Sequence, residues 1–255
     1  MTAVIDVRPV GLDGIRPMRE RYRQEMRCQI VHDSLHARGF TQAYLVRVDG
    51  GVAGYGCVLG FGGGPKDIVK EFYICAPHRA AALPAFRAFI EASGARTIEA
   101  QTNDPLLSLL LFDVATDVRA DAILFHDALT TSLCVPGAVF RAVTGPDRAR
   151  LFEHTGEPPG EWLIEVDGAI VATGGVLVHY NPPYGDIHME VAEPFRRRGY
   201  GSLLVQELKR VAYESGRVPA ARCSPSNAGS RASLEKAGML PCARILRGVI
   251  PCRAS

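Results

Sequence analysis

The chain repeats itself, and the repeat limits the folds open to it more than any single motif does. Ala43–Leu59 (AYLVRVDGGVAGYGCVL) resembles Glu161–Val178 (EWLIEVDGAIVATGGVLV), and Val48-Asp49-Gly50 lies 118 positions before Val166-Asp167-Gly168. Each stretch reads as strand, turn, strand, because apolar residues alternate around an Asp-Gly pair, the strongest short hairpin signal. Further on, EFYICAPHRAAALP answers HMEVAEPFRRRGYG, with Pro77 and Arg79 matching Pro194 and Arg196 at a separation of 117. Two copies of one fold follow, spanning 1–133 and 138–255, with Pro136-Gly137 breaking the pattern between them. At 255 residues, each copy has room for its own core.

The copies differ where chemistry belongs. In the second, DIHMEVA reads as a strand that Pro194 ends, and a basic, glycine-rich loop, Arg196-Arg197-Arg198-Gly199-Tyr200-Gly201, precedes a helix beginning near Gly201. Leu204, Leu208, Val211 and Ala212 give that helix one apolar face, and Gly216 closes it. A strand–loop–helix junction gathers backbone amides at the positive end of a helix, and glycine lets a ligand approach them. With three arginines alongside, the loop reads as an anion cradle rather than a solvated turn. In the first copy the loop is HRAAALP: Arg79 remains, but alanines replace the glycines and Pro84 removes a donor. That copy is expected to lack the cradle.

Net charge is only +2, so the anion site is local and no global field points to nucleic acid. The sequence has no apolar run of membrane-spanning length and no basic start leading into an apolar segment. Seven cysteines (28, 57, 75, 134, 223, 242 and 252), without a C-x-x-C pair, suit reduced thiols in a cytoplasm and read as small core residues. Gly54-Tyr55-Gly56 lacks the third glycine and the following helix of a dinucleotide fingerprint. Ile15–Phe40 reads as a long, arginine-rich helical segment. Within it His32 and His36 have helical i, i+4 spacing, but the sequence shows no matching ligands, so they read as an exposed or core pair and no metal is expected. Tyr180 and Tyr184, in the loop HYNPPYGD, are open either to an acceptor or to solvent. Trp162 reads as core.

The second copy resembles the GNAT N-acetyltransferase superfamily. The residues that carry the resemblance are Arg196-Arg197-Arg198-Gly199-Tyr200-Gly201, matching [Q/R]-x-x-G-x-[G/A], and NAGSRASLEKAGM (Asn227–Met239), an asparagine-opened helix ending in a K-x-G-[F/M]-like turn. Residues 138–255 carry it well and 1–133 only as a degenerate copy. The resemblance implies an α/β chain of two tandem GNAT folds, each a mixed, mostly antiparallel sheet flanked by helices. It implies acetyl-CoA as co-substrate, with Arg196, Arg197, Arg198, Gly199, Tyr200, Gly201 and Ser202 around the pyrophosphate. It also implies the Val191 amide on the acetyl carbonyl, and Asn227 on the pantetheine arm or supporting the fifth strand. The expected activity is direct acetyl transfer to a primary amine of a small molecule or peptide, by a monomer or homodimer. A non-catalytic acyl-CoA sensor or a protein-interaction module is the alternative.

Alternation on DIHMEVA puts Asp186, His188, Glu190 and Ala192 on one face. Two carboxylates and an imidazole on one strand face suit a site for an amine; the other reading is a solvated strand end. Glu190 is the first choice as base, His188 the second and Asp186 the third. One position departs from the family. Where many members carry a tyrosine that protonates the thiolate, this sequence has Leu234. Another donor or water serves the thiolate, or it leaves unprotonated, or catalysis has been lost.

Overall fold

The computed structural model describes residues 3–26, 29 and 32–251. Cys28 and Cys252 lie outside the described residues. The first half runs β1 (Ile5–Val10), α1 (Leu12–Glu25), α2 (His32–Ala37), β2 (Thr41–Val48), β3 (Gly51–Leu59), β4 (Ile68–Ile74), α3 (Ala82–Ser93), β5 (Thr97–Gln101), α4 (Pro105–Val114) and β6 (Thr116–Asp127). The second runs β7 (Val139–Ala142), β8 (Trp162–Val166), β9 (Ala169–Leu177), β10 (Tyr184–Val191), α5 (Tyr200–Glu214), β11 (Val218–Cys223), α6 (Ala228–Lys236) and β12 (Met239–Val249). The order is the same except that a short 3₁₀ turn, Pro146–Arg150, stands where the first half has α1 and α2. The helical segment expected over Ile15–Phe40 is therefore two helices; α1 ends where Met26 turns to an extended conformation.

The repeat extends to backbone detail. Asp49 and Gly50 have φ of 50° and 82°, and Asp167 and Gly168 have 48° and 78°. Two successive left-handed residues make the tight hairpin turn whose twist matches that of the strands. A register irregularity falls between Val46 and Arg47 and again between Ile164 and Glu165, 118 positions on. Gly56 lies under Phe89, whose ring atoms would stand 2.7 Å from an added Cβ; its counterpart Gly174 lies under Leu208, at 3.0 Å. Each copy thus uses a strand glycine to bring its helix close to the sheet.

By contacts the chain forms two compact units: Met1–Asp121 with Ala243–Ser255, and Ala122–Cys242. Neither is one of the contiguous spans 1–133 and 138–255 read from the repeat. In the first unit the strand order is β1-β2-β3-β4-β5-β12, and in the second β7-β8-β9-β10-β11-β6. Within each, neighbours are antiparallel except one parallel pair, β4 with β5 and β10 with β11. The sixth strand of each sheet comes from the other half of the chain.

In the first unit, Phe86 and Phe89 of α3 pack on Phe72 of β4, with ring centroids 4.7 and 5.6 Å apart. In the second, Leu204 and Leu208 of α5 are fully buried in a cluster that holds Ile164, Val171 and Ile187, and Ala212 is fully buried as well. Trp162 is half-buried and stacks on Phe140, centroids 4.9 Å apart. Among the described cysteines, Cys57, Cys75 and Cys223 are buried as expected, whereas Cys134 and Cys242 are exposed; none of the five is in a disulfide.

The β5–β12 ladder pairs Thr97–Gln101 with Ile245–Val249, so ending the chain at Cys242 removes a strand from the N-terminal unit. The shortened protein is expected to lose hydrogen-exchange protection at the β5 amides while α5 keeps its own. Unchanged β5 protection would refute the exchange of strands.

Candidate functional site

Strands β10 and β11 pair only at Tyr184/Val218, Gly185/Pro219 and Asp186/Ala220. Beyond that point each follows its other neighbour: β10 stays with β9 as far as Val191 opposite Ala172, and β11 stays with β6 as far as Cys223 opposite Ile123. The two parallel strands therefore diverge. Along an extended strand successive N–H groups point to opposite sides. The Ala192 N–H donates across to Val171 O at 3.0 Å, so the Val191 N–H is directed toward the gap.

The strand leads through a short 3₁₀ turn, Glu193–Phe195, into the basic loop. Arg196 Nε donates to Val191 O at 3.1 Å, fastening the loop to the strand end. Arg197 (φ 63°) and Gly199 (φ 92°) are both left-handed. Gly199 is the N-cap of α5, so this end has no capping side chain, and its first turn carries no acidic residue. The first helical bond is Leu203 N–H to Gly199 O at 3.0 Å, which leaves the Tyr200, Gly201 and Ser202 amides ahead of it. α4 and α6, by contrast, are capped by Asp104 and Asn227. Tyr200 and Ser202 are buried, so their contribution at the loop is the backbone. A Cβ on Gly201 would meet Ser233 Oγ at 3.2 Å and Val191 Cγ2 at 3.3 Å, and one on Gly199 would stand 4.0 Å from Lys236 Nζ. Lys236 thus joins the exposed Arg196, Arg197 and Arg198 as a local cation that the reading of the loop alone missed, although it sits in the quoted KAGM turn.

The first unit builds the same junction differently. Ala76–Ala81 winds into a 3₁₀ helix that runs directly into α3, so no left-handed residue opens the loop. Arg79 Nε bonds Ile74 O, repeating the Arg196–Val191 contact, but its guanidinium also pairs with Glu25 at 2.8 Å.

On β10, Asp186, His188 and Glu190 do share a face, and it is not a solvated strand end: Asp186 and His188 are buried. Glu190 is bound as an acceptor. Its Oε1 takes the Thr155 N–H and hydroxyl at 3.2 and 3.1 Å, and its Oε2 takes the Gly156 and Glu157 N–H groups at 3.1 and 3.0 Å. Burial raises the Glu190 carboxyl, but these four donors outweigh it and hold the group below the usual glutamate range. His188 is shifted by burial toward the neutral form, against the attraction of Asp186, and its buried Nδ1 has no hydrogen-bond partner. Asp186 lies 3.1 Å from His179 Nε2 and 3.7 Å from Arg222 Nε. Glu157, absent from the sequence reading, is raised by burial and by the charge of Asp186. Tyr180 is buried with its phenol pushed up by burial and Asp186, whereas Tyr184 is half-buried.

Leu234 points into the core of the second unit and is 3 % exposed. The α6 hydroxyl nearest the start of α5 is Ser233, beside Gly201. Asn227 Oδ1 accepts from Ser230 N–H at 3.0 Å, so its carbonyl caps α6.

Residues 134–239 match the model of the Acetyltransferase (GNAT) family. The chain carries a GNAT acetyltransferase domain. Among solved structures, it is similar to a GNAT-family acetyltransferase from Colwellia psychrerythraea (13% identity, 96% of this chain and 100% of that one, TM-score 0.73). It is also similar to a tandem GNAT protein of the clavulanic acid biosynthesis pathway (14% identity, 98% and 100% coverage, TM-score 0.59). A third similar structure is a GCN5-related N-acetyltransferase from Sphaerobacter thermophilus (19% identity, 97% and 96% coverage, TM-score 0.58). At these identities the likeness is one of fold, and it extends over both halves of the chain. No curated protein matches the sequence. Among the described residues no helix is long and apolar enough to cross a membrane.

A carboxyl whose pKa is depressed on folding adds stability above its unfolded pKa, and that stability is lost as pH falls through the folded value. Glu190→Gln is therefore expected to destabilise the protein near neutral pH, with the difference from wild type shrinking well below about pH 4, the ordinary glutamate range. Urea unfolding of both proteins across pH measures this, and a difference independent of pH would deny Glu190 its anionic role on the loop.

Proposed function

We propose that the second copy transfers an acetyl group from acetyl-CoA to a primary amine by direct attack in a ternary complex. The observation that carries this reading is the uncapped, glycine-opened start of α5 beside the gap between β10 and β11. A helix end with unpartnered amides, no acidic residue and four nearby cations fits a diphosphate. The Val191 N–H, directed into the gap, would receive the acetyl carbonyl oxygen and the charge that develops on it; such donors are worth about 10²–10³ in rate. The amine nitrogen attacks the carbonyl carbon, the C–S bond breaks and the electron pair leaves on sulfur.

For the proton lost by the amine we place His188 ahead of Glu190, which reverses the order read from the sequence. The Glu190 carboxylate already accepts four hydrogen bonds, whereas His188 is neutral and holds an unpartnered nitrogen. For protonating the thiolate we put forward Ser233, whose hydroxyl lies beside Gly201, and not residue 234. A tyrosine at 234 would enter the packed core, where overpacking typically costs about 1–3 kcal/mol. The acidic surroundings, Asp186, Glu157 and Glu190, favour a cationic acceptor. A cytoplasmic monomer or homodimer with one acetyl-CoA per chain completes the reading. An acyl-CoA sensor is the second reading, supported by the burial of Leu234 where family members carry a tyrosine.

Calorimetry is expected to give one acetyl-CoA per chain, with binding abolished by Gly199→Pro or Gly201→Glu and kept by Arg79→Ala. Two equivalent sites would overturn the loss of the cradle from the first copy. Thiol release across a panel of amines separates enzyme from sensor, since a sensor binds without turnover. His188→Gln is expected to lower kcat by about tenfold or more with acetyl-CoA affinity unchanged, and Glu190→Gln to lower it less. The opposite ranking would return the base to Glu190.

A further inference from the structure

The first copy has lost the cradle but has a buried polar centre of its own. Glu71 of β4 stands where the second copy has His188, 117 positions on, and is 1 % exposed. Around it lie His32 and His36 of α2 and Cys57 of β3, all buried. Of the i, i+4 histidines that lacked matching ligands in the sequence, His36 finds them here, from two strands distant in the chain.

We infer that the N-terminal unit holds a single zinc-type cation between His36 Nε2, Cys57 Sγ and Glu71 Oε1. These residues offer ligand atoms that all lie within 4.8 Å of one another. Imidazole nitrogen, thiolate sulfur and carboxylate oxygen together form a donor set suited to zinc or cobalt(II), and three protein ligands leave a fourth position open. The surrounding shell supports the assignment. Glu71 divides its oxygens: Oε2 takes Tyr55 OH at 2.7 Å and Arg19 Nε at 3.3 Å, while Oε1 faces His36 Nε2 at 2.6 Å. Holding the outer oxygen of a ligating carboxylate in this way leaves the inner one for a metal. His36 Nδ1 lies 2.5 Å from Thr41 Oγ1, the partner that fixes which ring nitrogen is available. His32 Nδ1 stands 3.3 Å from Glu71 Oε2 outside hydrogen-bond geometry, and backs the carboxylate from the same helix.

Binding is balanced in protons and charge. Cys57 releases its thiol proton to solvent. His36 takes the tautomer in which Nδ1–H donates to Thr41 Oγ1 and the Nε2 lone pair faces the cation. The thiolate and the carboxylate then neutralise a dication, and the nearby Arg19 keeps its own pairing with Asp33 at 2.9 Å.

The full-length protein, freed of metal and titrated with cobalt(II), is expected to show a thiolate-to-cobalt charge-transfer band that saturates at one equivalent and is displaced by zinc. Cys57→Ala and His36→Gln should remove the band, and Cys134→Ser and Cys242→Ser should keep it. X-ray absorption of the zinc-loaded wild type provides a readout that needs no variant, and one sulfur at about 2.3 Å is expected among the zinc ligands. A folded wild-type chain that takes up neither metal, a zinc shell without sulfur, or a band that survives Cys57→Ala would each overturn the assignment. These readouts are independent of acetyl-CoA binding.

Discussion

Two parallel strands that stop pairing partway along impose the constraint on which the candidate site depends. Once β10 and β11 separate after Asp186, backbone groups on their facing edges lie outside any ladder, and buried groups of that kind are strongly unfavourable unless something else bonds them. The divergence persists because each strand is held in register by its outer neighbour, β9 or β6. The elements of the proposed site are arranged about that opening. The Val191 amide points into it, Gly201 admits the start of α5 beside Val191, and the Arg196 contact fixes the loop against the strand.

The two copies show how little of a scaffold must change for chemistry to move. Both keep the left-handed Asp-Gly turn, the same irregularity in the hairpin, the glycine under the helix and an arginine bonded to the last strand carbonyl. Apart from the helices α1 and α2, which a short 3₁₀ turn replaces in the second copy, what differs at the junction is the backbone of six or seven residues. Glycine at the N-cap of α5 gives an open loop with free amides, whereas the run of alanines in the first copy closes into a 3₁₀ turn. On the neighbouring strand, a histidine in one copy is exchanged for a fully buried glutamate in the other.

Much of this was legible in the sequence, because repeats and turns are local. The Asp-Gly hairpins, the strand–loop–helix junction, its glycines and the loss of the cradle from the first copy can be read from residues a few positions apart. The environment of each charged side chain cannot. Glu190 reads as a base from its strand alone, whereas its bonds to Thr155, Gly156 and Glu157 span more than thirty residues. Leu234 looked like a lost catalytic group, but helical phase turns it into the core and brings Ser233 to Gly201. His36 gained Cys57 and Glu71 as neighbours through strand pairing that no spacing rule on one helix anticipates.

The exchanged sixth strands also bear on the order of folding. A chain made from its N-terminus, at about 5–20 residues per second, usually folds each domain as that domain emerges. Here the N-terminal unit draws on residues from Ala243 on, so it stays incomplete until synthesis has passed the C-terminal unit. The C-terminal unit, which needs only Ala122–Cys242, has all its residues first. The copy that kept the cradle can therefore mature before the copy that precedes it in the chain. The C-terminal unit is one continuous stretch of sequence, whereas the N-terminal unit is completed by a strand that follows it, so the first copy cannot be excised as a continuous piece without losing that strand.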